Sequence, residues 1–286
     1  MAVRDTLVVV VLLGCDAEES LPATGSVRML SYNVHGLPSG ITGDDTPARI
    51  AQIAPLLPDY DLLGLQEVWI AEDQAVLTAQ CEHPTQEYFD ERLDADRAYG
   101  AGLNLLGPAP TRLVHEQHYT QCYGLLDGAS DCFASKGFQL VRFELGAGSV
   151  DVYNSHFEAG SGEEDAAARA SNVAELLDAM AELSGGRAIL FMGDTNLDGD
   201  DPADEPILDA LFAAGLEDAC DIVGCPEPGR IDRFLLRDGN DVRLRPHDWS
   251  VADGFVDAGG VPLSDHDPIE LSIDWEVLVP PDQLPR

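Results

Sequence analysis

Polar side chains of the kinds that bind metal ions and move protons stand at the ends of several apolar segments of this chain. They follow or lie within the strings LSYN, LLGLQE, VYNSH, ILFMGDTN, RID and SDH. The set comprises Asn33, Glu67, His156, Asp194, Asn196, Asp232, Asp265 and His266. Carboxylate and amide oxygens suit Mg²⁺, and imidazole suits proton transfer. Together these groups could hold a divalent ion and activate a water beside it.

Each residue alone also has an ordinary structural explanation. Asn33 fits a turn, Glu67 a solvated strand end, His156 a core histidine, and the string SDHD a capped turn. The functional hypothesis therefore depends on the whole set. Strand ends in layered α/β folds converge on one crevice, so residues far apart in sequence are expected to meet there.

The elements that must position these residues are predicted from apolar periodicity. Strands are expected at 27–32, 61–65, 138–145, 150–157, 188–192, 231–236 and 268–275, and helices at 46–57, 163–183 and 205–214. The segment 72–135 is expected to be loop-rich, with one helix at 87–95. Uneven spacing of strands and helices favours an α+β or layered α/β sandwich over a barrel of eight units.

The strings LSYNVHG, LLGLQEVW, VYNSHFEAG, FMGDTNLDG, RIDRFLL and LSDHDPIEL, in this order, resemble the motifs of the endonuclease/exonuclease/phosphatase superfamily. Deoxyribonuclease I and the bacterial sphingomyelinases are members of this superfamily. The strings of this chain resemble those of the secreted sphingomyelinase-like members most. The resemblance covers residues 27–275. It implies a deoxyribonuclease I-like fold, a four-layered α/β/β/α sandwich with two mixed β-sheets.

The same resemblance implies roles for the polar residues. Glu67 would be the main ligand of Mg²⁺, with Asn33 and Asp265 assisting; Mn²⁺ and Ca²⁺ are the alternative ions. Asp194 and Asn196 would position the attacking water and a phosphate oxygen. His266, oriented by Asp232, would be the general base or an electrostatic partner. His156 would steady the pentacovalent phosphorus or assist the leaving oxygen. No GxSxG elbow or P-loop is present to suggest other chemistry.

The N-terminus predicts export. Residues 6–14 are apolar but too short to span a membrane, so 1–14 is expected to be a signal peptide. Leu12-Leu13-Gly14-Cys15 resembles a lipobox, with Cys15 the lipid attachment site; the alternative is cleavage near Ala17 or Ala23. Residues 15–25 would be a flexible tether, 26–278 one catalytic domain and 279–286 a C-terminal tail. The expected location is the cell envelope, as a lipoprotein, or the extracellular medium.

Export permits disulfides among the remaining five cysteines. Local bridges Cys122–Cys132 and Cys220–Cys225 are expected, although Cys81 is an alternative partner for Cys122 or Cys132. Residues 194–205 match a calcium-loop pattern, but a predicted strand precedes them and Asp201-Pro202 departs from the pattern, so no EF-hand is expected. A looser surface Ca²⁺ site formed by Asp198, Asp200 and Asp201 stays open.

Charge narrows the substrate class. The net charge is −36 with a single lysine, Lys136, so strong nucleic-acid binding is not expected. A phosphodiester of a phospholipid head group is favoured. Aromatic residues at the expected rim, Trp69, Tyr119, Tyr123, Trp249 and Phe255, are candidates for holding a quaternary ammonium group. The alternatives are a deoxyribonuclease I-like endonuclease, an inositol or sugar phosphate phosphatase, and a catalytically silent surface binding protein. We expect a monomer, attached to a membrane if Cys15 is lipidated.

Overall fold

The computed structural model describes residues 23–108, 112–124, 131–146, 148–226 and 229–278. The predicted signal peptide, Cys15, most of the predicted tether and the predicted C-terminal tail lie outside the described residues. Among the residues described, no helix has the length and apolar character needed to cross a membrane.

The described segments form strands and helices in mixed order. The strands are β1 (Thr24–Asn33), β2 (Leu62–Gln66), β3 (Thr85–Phe89), β4 (Leu103–Gly107), β5 (Arg112–His118), β6 (Gly137–Leu145), β7 (Gly148–His156), β8 (Ala188–Asp194), β9 (Glu217–Asp218), β10 (Asp232–Arg237), β11 (Val242–Val251) and β12 (Ile269–Val277). The helices are α1 (Ser39–Thr42), α2 (Thr46–Ile53), α3 (Ala71–Thr78), α4 (Glu163–Leu183), α5 (Glu205–Ala213) and α6 (Ala219–Val223), with 3₁₀ turns at Ala54–Asp59 and Asp131–Phe133.

The strands form two mixed sheets. One has the order β11-β12-β1-β2-β4-β3 and the other β5-β6-β7-β8-β10-β9. The central pairs β1–β2 and β7–β8 are parallel, and the remaining neighbours are antiparallel. Each sheet thus has a parallel centre, whose strands end together at one edge.

The two sheets pack face to face, and helices cover their outer faces. Met29 and Val152 belong to the apolar layer between the sheets. Tyr32 of β1 packs with Ile50 of α2 on one outside, and Phe191 of β8 packs with Leu176 of α4 on the other. Alternate residues of each central strand therefore face different layers, because strand side chains alternate between faces. The predicted four-layered α/β/β/α sandwich is confirmed.

The structure corrects the prediction for the middle of the chain. The segment expected to be helical at 87–95 begins instead with strand β3, which pairs with β4 from Thr85 to Phe89. Cross-strand pairing and burial of Thr85 and Phe89 outweigh the helix propensity of the glutamates. The loop-rich prediction for 72–135 was also wrong in part, since this segment carries most of α3 together with β3, β4 and β5. Strand β11, which has a register shift between Pro246 and Asp248, was not predicted.

Both local disulfides, Cys122–Cys132 and Cys220–Cys225, are present, and Cys81 is free and buried. In the loop that matches the calcium pattern, two carboxylates accept hydrogen bonds from backbone amides of the same loop. The Asp200 amide donates to Asp198 Oδ1 (2.8 Å), and the Ala203 amide donates to Asp201 Oδ1 (2.9 Å). The strand β8 before this loop agrees with the expectation that it is not an EF-hand.

A buried ion pair ties this loop to the outer helix layer, and it predicts a stability effect. Arg169 donates through Nη2 to Asp204 Oδ1 (2.8 Å), and both side chains are 2% exposed. We expect Arg169→Ala to lower the free energy of unfolding by about 3–5 kcal/mol, because Asp204 keeps a buried, uncompensated charge. Urea denaturation measures the change. The control is Arg245→Ala, which removes an exposed pair with Asp238 (3.2 Å) and should cost less than about 1 kcal/mol. Equal losses would contradict the assignment.

Candidate active site

The predicted site residues lie where the apolar layer between the sheets reaches its edge. In β8, Ala188, Leu190 and Met192 face the layer between the sheets, and Asp194 is the next residue on that face. The same two-residue spacing leads from Val152 to His156 in β7 and from Met29 to Asn33 in β1. Strand periodicity thus aims polar side chains from both sheets into one place.

Asp194 is the common partner of these groups. Its Oδ2 accepts a hydrogen bond from Asn33 Nδ2 (3.0 Å) and lies 3.2 Å from His156 Nε2 and 3.6 Å from His266 Nε2. The side chain is 1% exposed. Burial opposes ionisation, but His156 and His266 hold the pKa of Asp194 well below its usual range. Asp194 is therefore a carboxylate with donors from both sheets around it.

Glu67 lies beside this centre. Its Oε1 accepts from Asn33 Nδ2 (3.1 Å), and its Oε2 accepts from Trp69 Nε1 (3.4 Å). Asp265, by contrast, lies on the rim with a side chain that is 60% exposed. The ring of His35 lies between the two carboxylates, with Nδ1 3.3 Å from Asp265 Oδ1 and 3.8 Å from Glu67 Oε2. Sequence reasoning missed His35, although its place two residues after Asn33 was a usable signal.

Backbone conformation is unusual at the site. Among the described residues, the non-glycine residues with positive φ are His35 (50°), Glu67 (56°) and Asn196 (49°). All three follow the ends of central strands, and left-handed backbone costs energy for such residues. Gly36 permits this geometry, because a Cβ there would lie 2.3 Å from the carbonyl oxygen of Glu67. The turn that aims Glu67 therefore requires glycine at position 36.

His266 and Asp232 form a hydrogen-bonded pair next to Asp194. His266 Nδ1 lies 2.8 Å from Asp232 Oδ2. Burial alone would lower the pKa of His266, but the hydrogen bond and charge of Asp232 raise it to about 10. Burial and the charge of Asp194 raise the pKa of Asp232 to about 6. The proton of the pair therefore resides on the imidazole, which makes His266 a cation at neutral pH.

A second network, which sequence reasoning missed, orients Asn196. The carbonyl of Phe157 accepts from Asn196 Nδ2 (3.1 Å) and from Lys136 Nζ (2.8 Å). Lys136, the single lysine, is in turn 2.8 Å from Asp131 Oδ1, and both residues are buried. Asp131 lies within the loop closed by the Cys122–Cys132 disulfide, directly before Cys132, so its position had no signal in the motif pattern.

The donor set fits a divalent metal ion. Asp194, Asp232 and His266 offer ligand atoms that all lie within 4.8 Å of one another. Asn33 Nδ2 donates both to Glu67 Oε1 (3.1 Å) and to Asp194 Oδ2 (3.0 Å), so the predicted metal ligand Glu67 adjoins this group. Asp232 Oδ1 is buried and has no hydrogen-bond partner among the described residues. Buried, hard oxygen ligands of this number suit Mg²⁺, which keeps several waters.

Two clefts adjoin the site. The Trp249 cleft, of about 370 Å³, is lined by Arg230, Asp232, Trp249, Val251, His266, Asp267 and their neighbours. The Trp69 cleft, of about 480 Å³, is lined by Leu37, Ile41, Glu67, Trp69, Tyr99, Phe133 and their neighbours.

The other predicted rim aromatics lie elsewhere. Tyr119 is buried, and its hydroxyl lies 2.7 Å from Ser155 Oγ. Phe255 is also buried and packs on Tyr32, with ring centroids 5.1 Å apart. The prediction that these two residues lie at the rim of the site was wrong, because both rings are packed in the apolar core. Tyr123 is half-buried, and its amide donates to Glu158 Oε1 (2.5 Å).

Comparison with known proteins extends these observations. A model of the Endonuclease/Exonuclease/phosphatase family matches residues 30–266. A sphingomyelinase of Mycobacterium tuberculosis is 26% identical over 285 residues, which cover 92% of this chain and 55% of the relative. The chain thus spans about half the length of the curated relatives it matches.

Solved structures agree in fold. Sphingomyelinase C from Streptomyces griseocarneus has a TM-score of 0.66 at 19% identity, covering 87% of this chain and 99% of that one. A mutant of beta toxin from Staphylococcus aureus with bound magnesium ions has a TM-score of 0.63 at 14% identity, covering 86% and 99%. At these identities the likeness establishes the sandwich architecture.

The hydrogen bond between Asp232 and His266 predicts how His266 titrates. In metal-free wild-type protein, we expect NMR to show His266 with a pKa well above its ordinary 6.5, and Asp232→Asn to bring it down by more than one unit. His247, which is half exposed, serves as the internal control. Because the folded pKa of His266 is raised, the stabilisation from its protonation is full below pH 6.5 and is lost as pH rises towards 10. A His266 pKa near 6.5 in the wild type would contradict the pairing.

Proposed function

Because the chain belongs to the endonuclease/exonuclease/phosphatase family, we propose that it is a divalent-metal-dependent phosphodiesterase. The bond hydrolysed is the phosphodiester of a phospholipid head group, and sphingomyelin is among the proposed substrates. The observation that carries the proposal is the convergence of acid, amide and imidazole groups from both sheets around Asp194. The 26% identity to a sphingomyelinase supports the lipid substrate class.

In this proposal the chain's own residues align a water and compensate charge on phosphorus. The Asp194 carboxylate accepts a hydrogen bond from the attacking water and so orients it, and Asn196, held by Phe157, directs its side chain to the same place. His266 as imidazolium, with His156 beside it, stabilises the negative charge that develops on the phosphoryl oxygens. Glu67 and Asn33, with Asp265 at the rim, would hold Mg²⁺. When bound, the ion lowers the pKa of water and neutralises a phosphate oxygen.

Exposed charge supports a substrate that is not a polyanion. The net charge is −36, and the side chain of Lys136 is 6% exposed and ion-paired. Binding DNA depends on cations that neutralise phosphates along its length. A head group with one phosphate requires only the local cations of the site.

Two disulfides support the further proposal that the protein works outside the cytoplasm. Cys122–Cys132 and Cys220–Cys225 would be reduced in most cytosols and persist in oxidising compartments. Whether Cys15 carries lipid is a separate prediction, which mass spectrometry of the natural protein tests.

A substrate panel tests the proposed function. Purified protein is assayed with Mg²⁺ or with EDTA on sphingomyelin in detergent micelles, plasmid DNA and a phosphoinositide. We expect phosphocholine release from sphingomyelin, at least a hundredfold faster with Mg²⁺ than with EDTA, and little product from the other two substrates. Faster cleavage of DNA than of sphingomyelin would replace this proposal with the endonuclease alternative.

Two substitutions separate metal binding from charge stabilisation. Glu67→Gln should lower kcat and raise the Mg²⁺ concentration needed for half-maximal activity, because a carboxylate ligand is lost. His266→Ala should lower kcat by about 10²–10⁴-fold while the Mg²⁺ requirement changes little. Steady-state kinetics at varied Mg²⁺ measure both effects. The matched control is Glu72→Gln, an exposed position of α3, which should behave as wild type. A near-normal kcat for His266→Ala would refute its role.

A further inference from the structure

Glu158 is a buried acid that the proposed chemistry does not use. It comes two residues after His156, the last residue of β7, and it is 1% exposed. Its Oε1 accepts from the Tyr123 amide (2.5 Å), and its own amide donates to Asn172 Oδ1 of α4 (3.0 Å). The carboxyl group is therefore enclosed by the end of β7, helix α4 and the loop closed by the Cys122–Cys132 disulfide.

Two more buried carboxyl groups act on Glu158 from different elements. Asp131, in the 3₁₀ turn of the same loop, accepts from the Ala159 amide and is 8% exposed. Asp165, in the first turn of α4, accepts from the Gly162 amide (2.8 Å) and is 3% exposed. Its Oδ1 has no hydrogen-bond partner among the described residues. The charges of Asp131 and Asp165 both oppose ionisation of Glu158.

Positive charge at this cluster is limited. Lys136 Nζ lies 2.8 Å from Asp131 Oδ1 and also donates to the carbonyl of Phe157 (2.8 Å). Arg169 of α4 lies close by, but its guanidinium is paired with Asp204 and donates to backbone carbonyls. Within the described part of the chain, three buried carboxyl groups therefore share one ammonium group.

The crowding of acids makes Glu158 a group that changes its charge near neutral pH. Burial and like charges both favour the neutral form of a carboxyl group. Burial first, and then the charge of Asp131, raise the pKa of Glu158 to about 7, although Lys136 opposes the rise. The change of charge takes place inside the fold, where solvent screens it little.

Lys136 connects this charge to the site. The Phe157 carbonyl accepts from both Lys136 Nζ and Asn196 Nδ2 (3.1 Å), so the ammonium group helps to fix the carbonyl that holds Asn196. An ionised Glu158 attracts the ammonium group and competes with that carbonyl for it. A neutral Glu158 leaves the hydrogen bond to the carbonyl undisturbed.

We propose that Glu158 is a positioning residue that acts on Asn196 through Lys136, and that hydrolysis is faster when the Glu158 carboxyl group is neutral. The inference rests on the proposed phosphodiesterase function and adds a control by pH to it. Glu158 acts at a distance from the reacting groups, so we expect it to change kcat and to leave KM unaltered.

The ratio of kcat for Glu158→Gln to kcat for the wild type isolates the titration of Glu158, because the other titrating groups are common to both proteins. Glutamine keeps an oxygen that accepts from the Tyr123 amide, and it does not ionise. With Mg²⁺ and sphingomyelin in detergent micelles, we expect the ratio to rise at least about threefold from pH 5.5 to pH 8.5, at equal KM. The matched control is Glu164→Gln, an exposed position of α4, for which the ratio should stay constant. A constant ratio for Glu158→Gln would overturn the proposal.

A second variant tests the electrostatic origin of the effect. When both proteins also carry Asp165→Asn, the same ratio should change at a lower pH, because one of the charges that oppose ionisation of Glu158 is gone. A change at the same pH or at a higher pH would speak against the proposal.

Two measurements without turnover separate this inference from the proposed function. In NMR spectra, the side-chain amide signals of Asn196 should shift between pH 5.5 and pH 8.5 in the wild type, and this shift should be lost in Glu158→Gln. Because the folded pKa of Glu158 is raised, the stability from its protonation is full below pH 4.5 and is lost as pH rises through 7. From pH 4.5 to pH 8.5, the Tm of the wild type should therefore fall at least about 3 °C more than that of Glu158→Gln.

The two sets of results distinguish the possible failures. If sphingomyelin is not hydrolysed but the Asn196 signals still follow Glu158, the proposed function is overturned and the coupling is kept. If the Asn196 signals titrate equally in wild type and Glu158→Gln, the coupling is overturned, whatever the substrate.

Discussion

The buried charge of Asp194 is the constraint on which the site depends. A carboxylate that is 1% exposed needs hydrogen-bond donors around it. The ends of β1 and β7, one strand from each sheet, supply Asn33 and His156, and the loop before β12 supplies His266. None of these donors is near another in sequence. The electrostatic requirement of Asp194 is thus met where the edges of the two sheets come together, and this brings the polar groups of the candidate site into contact.

Scarce positive charge explains much of the remaining architecture. The chain has 16 lysine and arginine residues against 52 acidic ones, and several arginines are used as internal ties. Arg49 donates to the backbone carbonyls of Val34, His35 and Leu263 and so joins the loops that carry the site. Arg233 pairs with Asp218 inside the fold. Since these cations are occupied within the fold, the candidate site presents the imidazoles of His156 and His266, rather than arginines, next to Asp194.

The strands and helices that could be predicted from the sequence are those for which a local residue pattern is enough to identify the element. Central strands such as β7 and β8 are buried on both faces, and their polar last residues stand out against apolar runs, so the strands and the polar side chains at their ends were recognisable. Edge strands β3 and β11 were not predicted, because half their surface is solvated and their pairing is long-range. The Asp131–Lys136 pair was not predicted for a related reason. It is linked to Asn196 through the carbonyl of Phe157, which accepts from both Lys136 and Asn196, and no sequence motif contains this contact.

The candidate site and the clefts beside it are built from different parts of this architecture. The polar groups of the site stand at the ends of the central strands and in the turns that follow them, with left-handed backbone at His35, Glu67 and Asn196. The clefts beside them are built from elements with fewer neighbours: Trp249 and Val251 come from edge strand β11, and Tyr99 and Phe133 from the loops and turn after β3. Val251 and Phe133 are 39% and 37% exposed, so their substitution disturbs little packing, whereas Trp249 is buried in the apolar layer between the sheets. The exposed side chains of the edge strand can therefore change while the centre around Asp194 stays intact.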